Sequence, residues 1–132
     1  MTAAAAPAPT RPALLPYALV SAALCGLVLA AAAHASEARS ALFGAAAATA
    51  AAACALPALA LGASRGTNGV LAGFVAGFFA RMVAVAAGLI LSGPRGNAAV
   101  AFAGYFFLLY ALTQAVEVAF VWGSSRTRRA GA

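Results

Sequence analysis

The chain alternates long apolar stretches with short polar breaks. Four stretches carry most of its hydrophobic residues, at about residues 13–35, 41–61, 69–92 and 98–122. Each is close to the roughly 20 residues that a helix needs to cross about 30 Å of hydrocarbon. The breaks between them are short, so consecutive helices should run in opposite directions. The pattern therefore predicts an all-α integral membrane protein, an antiparallel bundle of four transmembrane helices with short loops.

Composition supports this interpretation, since 65% of the 132 residues are hydrophobic and only 8% are charged. A soluble domain of this size has too little interior to hide so much apolar surface. The second stretch is the least lipophilic, because residues 45–53 are alanine apart from Thr49. Small side chains allow close helix contact, so it is retained as a span. Pro57 is expected to kink this helix near its end.

The distribution of arginine near the span ends predicts the orientation of the bundle. One side carries more of them, namely Arg11, Arg65, Arg126, Arg128 and Arg129. The other side has Arg39 and Arg95. Because cytoplasmic loops are enriched in basic residues, both termini are expected in the cytoplasm. The membrane domain then covers residues 13–123, between a disordered tail at 1–12 and a basic tail at 124–132.

Two further interpretations concern the ends of the chain. The C-terminal segment Arg126-Thr127-Arg128-Arg129 is interpreted as an anchor on anionic membrane lipid. The net charge of +6 is accounted for in this way, and no nucleic-acid partner is expected. The sequence Ala33-His34-Ala35 resembles the end of a secretory signal. The apolar run before it is longer than a usual signal core, so the first span is expected to be retained. Cleavage, which would leave three spans, is the alternative.

Arg81 and Glu117 are charged residues that lie inside spans. A charge at that depth costs a few kcal/mol, so it usually faces a partner or a water-filled path. Counting about 1.5 Å per residue from the cytoplasmic ends places Arg81 roughly 18 Å deep and Glu117 roughly 9 Å deep. Helical side chains lean toward their own N-terminus, so on antiparallel helices the two heads should converge.

Arg81 and Glu117 each lie on a helix face with a distinct set of neighbouring residues. Gly73 and Gly77 precede Arg81 at a spacing of four, which lets another backbone approach closely. The fourth helix carries a polar stripe at helical spacing. Its members are Tyr110, Thr113, Gln114 and Glu117. We expect the glycine face to meet the polar stripe.

Two interpretations of the charges follow. In the first, Arg81 and Glu117 form an internal ion pair that fixes helix register, with Gln114 satisfying spare donors. In the second, one of them meets a polar group on another membrane protein or a moving ion. No catalytic set can be assembled from one histidine and two glutamates, so neither an enzyme, a metal site nor a cofactor is expected.

Several segments resemble the ATP synthase protein I family. They are Pro57, the stretch Gly77-Phe78-Phe79-Ala80-Arg81-Met82, the stretch Tyr105-Phe106-Phe107, and the segment from Gln114 to Glu117. The similarity covers about residues 41–123. The chain departs from the family at Phe78, where some members carry an acidic residue, and at Ala58, where an asparagine can occur.

The resemblance implies a small four-helix protein of the bacterial inner membrane that assists assembly or stability of the ATP synthase c ring. Arg81, Gln114 and Glu117 are the positions that carry the likeness. It also implies c subunits as partners. On that basis we hypothesise that the face of Gly73 and Gly77 lets a c-subunit helix approach while Arg81 serves as a temporary counter-charge for its buried carboxylate, with Glu117 holding Arg81 when no client is bound. The alternatives are a small oligomeric transporter or channel in which Glu117 binds a proton or cation, and a scaffold without transport.

Overall fold

The structure is a computed structural model that describes residues 13–130, apart from the side chain of residue 128. These residues form four α-helices and no strand: α1 Leu15–Ala33, α2 Ala38–Ala63, α3 Thr67–Ser92 and α4 Asn97–Ala130. All four are long and apolar enough to cross a membrane. The prediction of an all-α, four-helix membrane-spanning bundle is confirmed.

The helix ends differ modestly from the predicted spans. Between α3 and α4 the chain turns at Gly93 and Gly96, whose φ angles of 54° and 59° are left-handed and suit glycine. The Gly93 N–H donates to the Leu89 carbonyl at 3.0 Å, which closes the end of α3. At the other end, α4 continues past the predicted limit at residue 122 as far as Ala130, so much of the basic tail is helical. The tail predicted at 1–12 lies outside the described residues.

Helix α2 occupies the centre of the bundle and packs against α1, α3 and α4. Its buried positions are mostly alanine, including Ala41, Ala45 and Ala48. Small side chains allow three neighbours to approach one helix, so the least lipophilic stretch is also the most central. Pro57 lies inside α2, which continues beyond it to Ala63.

Helix α1 packs against α2 and α4 at the edge of the bundle. Near one end, the rings of Tyr17 and Phe120 meet edge to face with 5.4 Å between centroids. Near the other end, the Tyr105 hydroxyl donates to the Ala31 carbonyl at 3.4 Å. These contacts fix α1 against α4 at two levels.

The contact between α3 and α4 is of a different kind. In the described part of the chain their backbones do not pack closely, whereas α3 packs extensively against α2. Long side chains cross the gap instead, as where the Phe102 ring of α4 lies against Gly88 of α3. We call this gap the α3–α4 seam, and the candidate site lies in it.

Candidate functional site

The site is an ion pair buried in the α3–α4 seam. Arg81 Nη2 donates a hydrogen bond to Glu117 Oε1, and both residues are 3% exposed. The two helices are antiparallel, so side chains that lean toward their own N-termini lean toward each other. The structure thus brings together the two charges that the sequence places inside spans.

The guanidinium of Arg81 has an aromatic neighbour as well as an ionic one. Its Cζ lies 5.0 Å from the centroid of the Tyr110 ring, within the range of a cation–π interaction. Along the axis of α4, the Arg81 guanidinium therefore lies between Tyr110 and Glu117. The ring attracts the cation without supplying a counter-charge, so Glu117 neutralises it.

Gly77 makes room for Arg81 and for α2 at once. A Cβ atom at this position would lie 3.1 Å from Arg81 Nη1 and 3.2 Å from the Ala55 Cβ of α2. Both distances are shorter than a comfortable contact. Any side chain here would therefore push against the guanidinium, against α2, or against both.

The glycine face of α3 meets α2. A Cβ at Gly73 would lie 2.9 Å from the Leu59 Cα, and Gly69 lies against the Gly62 backbone. The expectation that this face meets the polar stripe of α4 is therefore wrong. The same contacts leave no room on it for a helix of another protein, because α2 already lies there.

The polar stripe of α4 divides into different environments. Thr113 is buried, and its hydroxyl donates to the Leu109 carbonyl at 2.9 Å within the same helix. Tyr110 and Gln114 are half-buried. Among the described residues, Gln114 forms no hydrogen bond with Arg81, so the spare donors of the guanidinium are not satisfied by this amide.

Sequence reasoning missed part of the helix contact. Gly69 and Gly62 form the closest approach of α2 and α3, and Gly44 lies against the Phe102 backbone of α4. Gly69 continues the spacing of four through Gly73 and Gly77, so a signal for it was present. Gly44 had none, because a single glycine beside an alanine run carries no periodicity.

Chemically, the pair is a cation and an anion held together away from water. In a medium of low dielectric constant, separating them is costly unless each finds a new partner or the acid takes up a proton. Within the described residues, no group of three His, Cys, Asp or Glu side chains could hold a metal ion. The two residues can therefore separate at low cost only where another charged or acidic group takes the place of one partner.

Comparisons of the chain with protein-family models, with curated proteins and with solved structures find no match.

Proposed function

We propose that this protein is a membrane-embedded accessory factor of the F-type ATP synthase that assists assembly or stability of the c ring. Both termini face the cytoplasm of a bacterial cell, because the arginines are concentrated at that end. The resemblance of residues 41–123 to the ATP synthase protein I family motivates the proposal. The observation that supports it most is the buried Arg81 in the loosely packed seam, paired with one carboxylate.

The client in this proposal is a c subunit, whose hairpin carries a carboxyl group inside the membrane. Such a group is neutral when it has no partner, because an isolated ion is costly there. As the client approaches Arg81, its carboxylic acid passes its proton to Glu117. The client carboxylate then pairs with Arg81, and Glu117 becomes a neutral acid. One buried cation and one buried anion are present before and after the exchange, so its cost is low.

The client approaches through the α3–α4 seam, since α2 covers the glycine face. The side chains one turn before Arg81 and Tyr110 are Phe78 and Phe107, and both are about half exposed on the outside of the bundle. They offer an apolar surface for a client helix next to the buried charges. A client helix can approach there without separating closely packed backbones, because α3 and α4 are bridged by side chains.

The test is affinity purification of the tagged protein from its native membrane in mild detergent, with mass spectrometry of what is retained. Replacing Arg81 alone would leave Glu117 buried without its counter-ion and could unfold the bundle. The double variant Arg81→Leu/Glu117→Leu removes both charges together. We expect it to lower c-subunit capture about tenfold, which corresponds to roughly 1.4 kcal/mol. Arg95→Leu removes one exposed arginine at the far end and is the control.

The single variant Glu117→Gln tests recognition once its folding has been checked, because it leaves Arg81 without a counter-ion. It removes the competing anion but keeps Arg81, so in a folded preparation the proposal requires c-subunit capture to rise, with the client carboxyl group giving its proton to water in place of Glu117. If the pair is purely structural, Glu117→Gln captures no more c subunit than wild type, and a folded double variant captures as much as wild type. If a folded wild-type preparation retains no synthase subunit, the proposal fails. Proton or cation flux in liposomes would then distinguish a transporter from a scaffold.

A further inference from the structure

A second feature of the molecule lies at the end of the bundle where α3 begins. A pocket of about 210 Å³ opens there between α3 and α4. Its walls are Thr67 and Val70 of α3 with Val121, Ser124 and Ser125 of α4. Three of these five side chains carry hydroxyl groups.

The pocket is apolar at its base and polar at its rim. Val70 and Val121 also pack on the buried cluster of Leu59, Ala63 and Phe120, which closes the pocket toward the membrane interior. Thr67 and Ser125 are exposed at the opposite side. A cavity with this polarity, at the point where transmembrane helices leave the hydrocarbon, matches the region of a phospholipid between its acyl chains and its headgroup.

Exposed arginines lie at the same end of the bundle as the pocket, on or next to both helices. Arg65 precedes α3, while Arg126 and Arg129 lie on the last turns of α4. The Arg126 Cζ lies 5.4 Å from the centroid of the Trp122 ring, and Trp122 is 62% exposed. Exposed tryptophan and arginine together are typical of the membrane interface, where the ring lies among headgroups.

These arginines have no carboxylate partner within the described chain. The protein has two acidic side chains, Glu37 and Glu117. Glu117 is paired with Arg81, and Glu37 lies in the link between α1 and α2, at the opposite end of the bundle. Arg65, Arg126 and Arg129 are therefore available to pair with an anionic group of another molecule.

We propose that this end of the bundle binds the headgroup of an anionic phospholipid. The phosphate pairs with Arg65 and Arg126, and the glycerol region enters the pocket between Thr67 and Ser125. This site is independent of the Arg81–Glu117 pair and of any client. It also differs from general attraction to a negative surface, because it requires the pocket as well as the charge.

The chain contains a single tryptophan, Trp122, so its fluorescence reports on lipid at this end of the bundle. The full-length protein is reconstituted in vesicles of phosphatidylcholine and phosphatidylglycerol of fixed composition. In one sample the phosphatidylglycerol carries brominated acyl chains, which quench nearby tryptophan, and in the other the phosphatidylcholine does. We expect quenching of Trp122 per mole of brominated lipid to be at least about twofold stronger for phosphatidylglycerol. Each variant is compared with its own unbrominated sample.

Two variants test the two components of the site. The measured ratio is the quenching efficiency of brominated phosphatidylglycerol divided by that of brominated phosphatidylcholine. Arg65→Gln/Arg126→Gln should bring this ratio close to one. The control Arg39→Gln/Arg95→Gln removes the same charge from the opposite end and should leave the ratio high. Ser125→Leu fills the mouth of the pocket without changing charge and should also lower the ratio. An equal effect of both lipids on wild type would overturn the proposal. A preference that the first variant abolishes but Ser125→Leu preserves would also overturn it, because surface charge alone would then explain the preference.

Discussion

At the scale of single residues, the central question is what a buried arginine contributes. The Arg81–Glu117 pair replaces the hydration that both groups lose inside the bundle, and this compensation is incomplete in many proteins. Each partner nevertheless depends on the other, because a lone charge in the seam would have neither water nor a counter-ion. Each residue of the pair therefore needs the other in order to stay buried, but the pair as a whole need not raise the free energy of unfolding.

This dependence predicts a non-additive effect of mutation. Arg81→Leu or Glu117→Leu alone should destabilise the bundle by about 3 kcal/mol, because the first leaves a carboxyl group that must take up a proton to stay buried and the second leaves a buried cation without a counter-ion. The double variant should lie within about 1 kcal/mol of wild type, since no charge is then buried. Unfolding in mixed micelles, followed by circular dichroism, measures all three. Additive losses in the double variant would mean that the two residues stabilise the bundle independently.

Much of this pair could be predicted from sequence. Span boundaries and helical rise place the backbones of Arg81 and Glu117 roughly 9 Å apart in depth, and the opposite lean of the two side chains closes that difference. The environment of Gln114 could not be predicted in the same way. Depth follows from counting residues along the axis, but contact also depends on how each helix is rotated about its axis, and rotation is set by packing.

At the scale of helices, the contact between α2 and α3 depends on the absence of side chains. Gly62 and Gly69 lie so close that a Cβ on either would overlap the backbone of the other helix. Backbone atoms cannot move aside as the end of a flexible side chain can. A side chain at either glycine would therefore force α2 and α3 apart, and the other contacts between these two helices would lengthen.

A matched pair of glycine substitutions tests this contact. Gly69→Ala should destabilise the bundle by about 1–3 kcal/mol through overpacking. Gly104→Ala adds the same methyl group to α4, where nothing lies within 4 Å, and should be neutral or stabilising by up to about 1 kcal/mol. The midpoint of thermal unfolding in detergent compares them. Equal midpoints for the two variants would show that the close approach of α2 and α3 is not maintained in solution.

Sequence predicted the glycine face of α3 but assigned it the wrong neighbour. In an antiparallel bundle, α2 and α4 both adjoin α3 along the chain, and a glycine face fits either. Small residues of α2 decide the matter, since Gly62 lies against Gly69 and Ala55 lies against Gly77. Two small-residue faces can approach more closely than a small face and the larger side chains of α4. The alanine residues at 45–53 make α2 the least lipophilic span, and several of them are buried in the bundle, as their capacity for close helix contact predicts.

At the scale of the whole molecule, the short links force the helices to alternate in direction. The links after α1 and after α3 lie at one end of the bundle, and the link after α2 lies at the other end, together with the start of α1 and the end of α4. A single observation of which side one link faces therefore fixes the orientation of every helix.

Cysteine labelling can make that observation. In a background with Cys25→Ala and Cys54→Ala, Ser64→Cys places a thiol in the link after α2, and Ser36→Cys places one in the link after α1. Both serines are exposed. An impermeant maleimide added to intact cells should label Ser36→Cys and leave Ser64→Cys unlabelled until the membrane is opened. The reverse pattern would place both termini outside the cytoplasm and contradict the proposed orientation.

The unequal packing of α3 has a mechanical consequence. One edge of α3 is fixed to α2 by backbone contacts along its length, and the opposite edge is held to α4 by a few side chains. A helix held in this way can rotate about its fixed edge at much lower cost than it can detach. The ion pair with Glu117 then holds Arg81, and with it the free edge of α3, against α4. Neutralising that one acid should make α3 the most mobile helix of the bundle while α1, α2 and α4 stay packed.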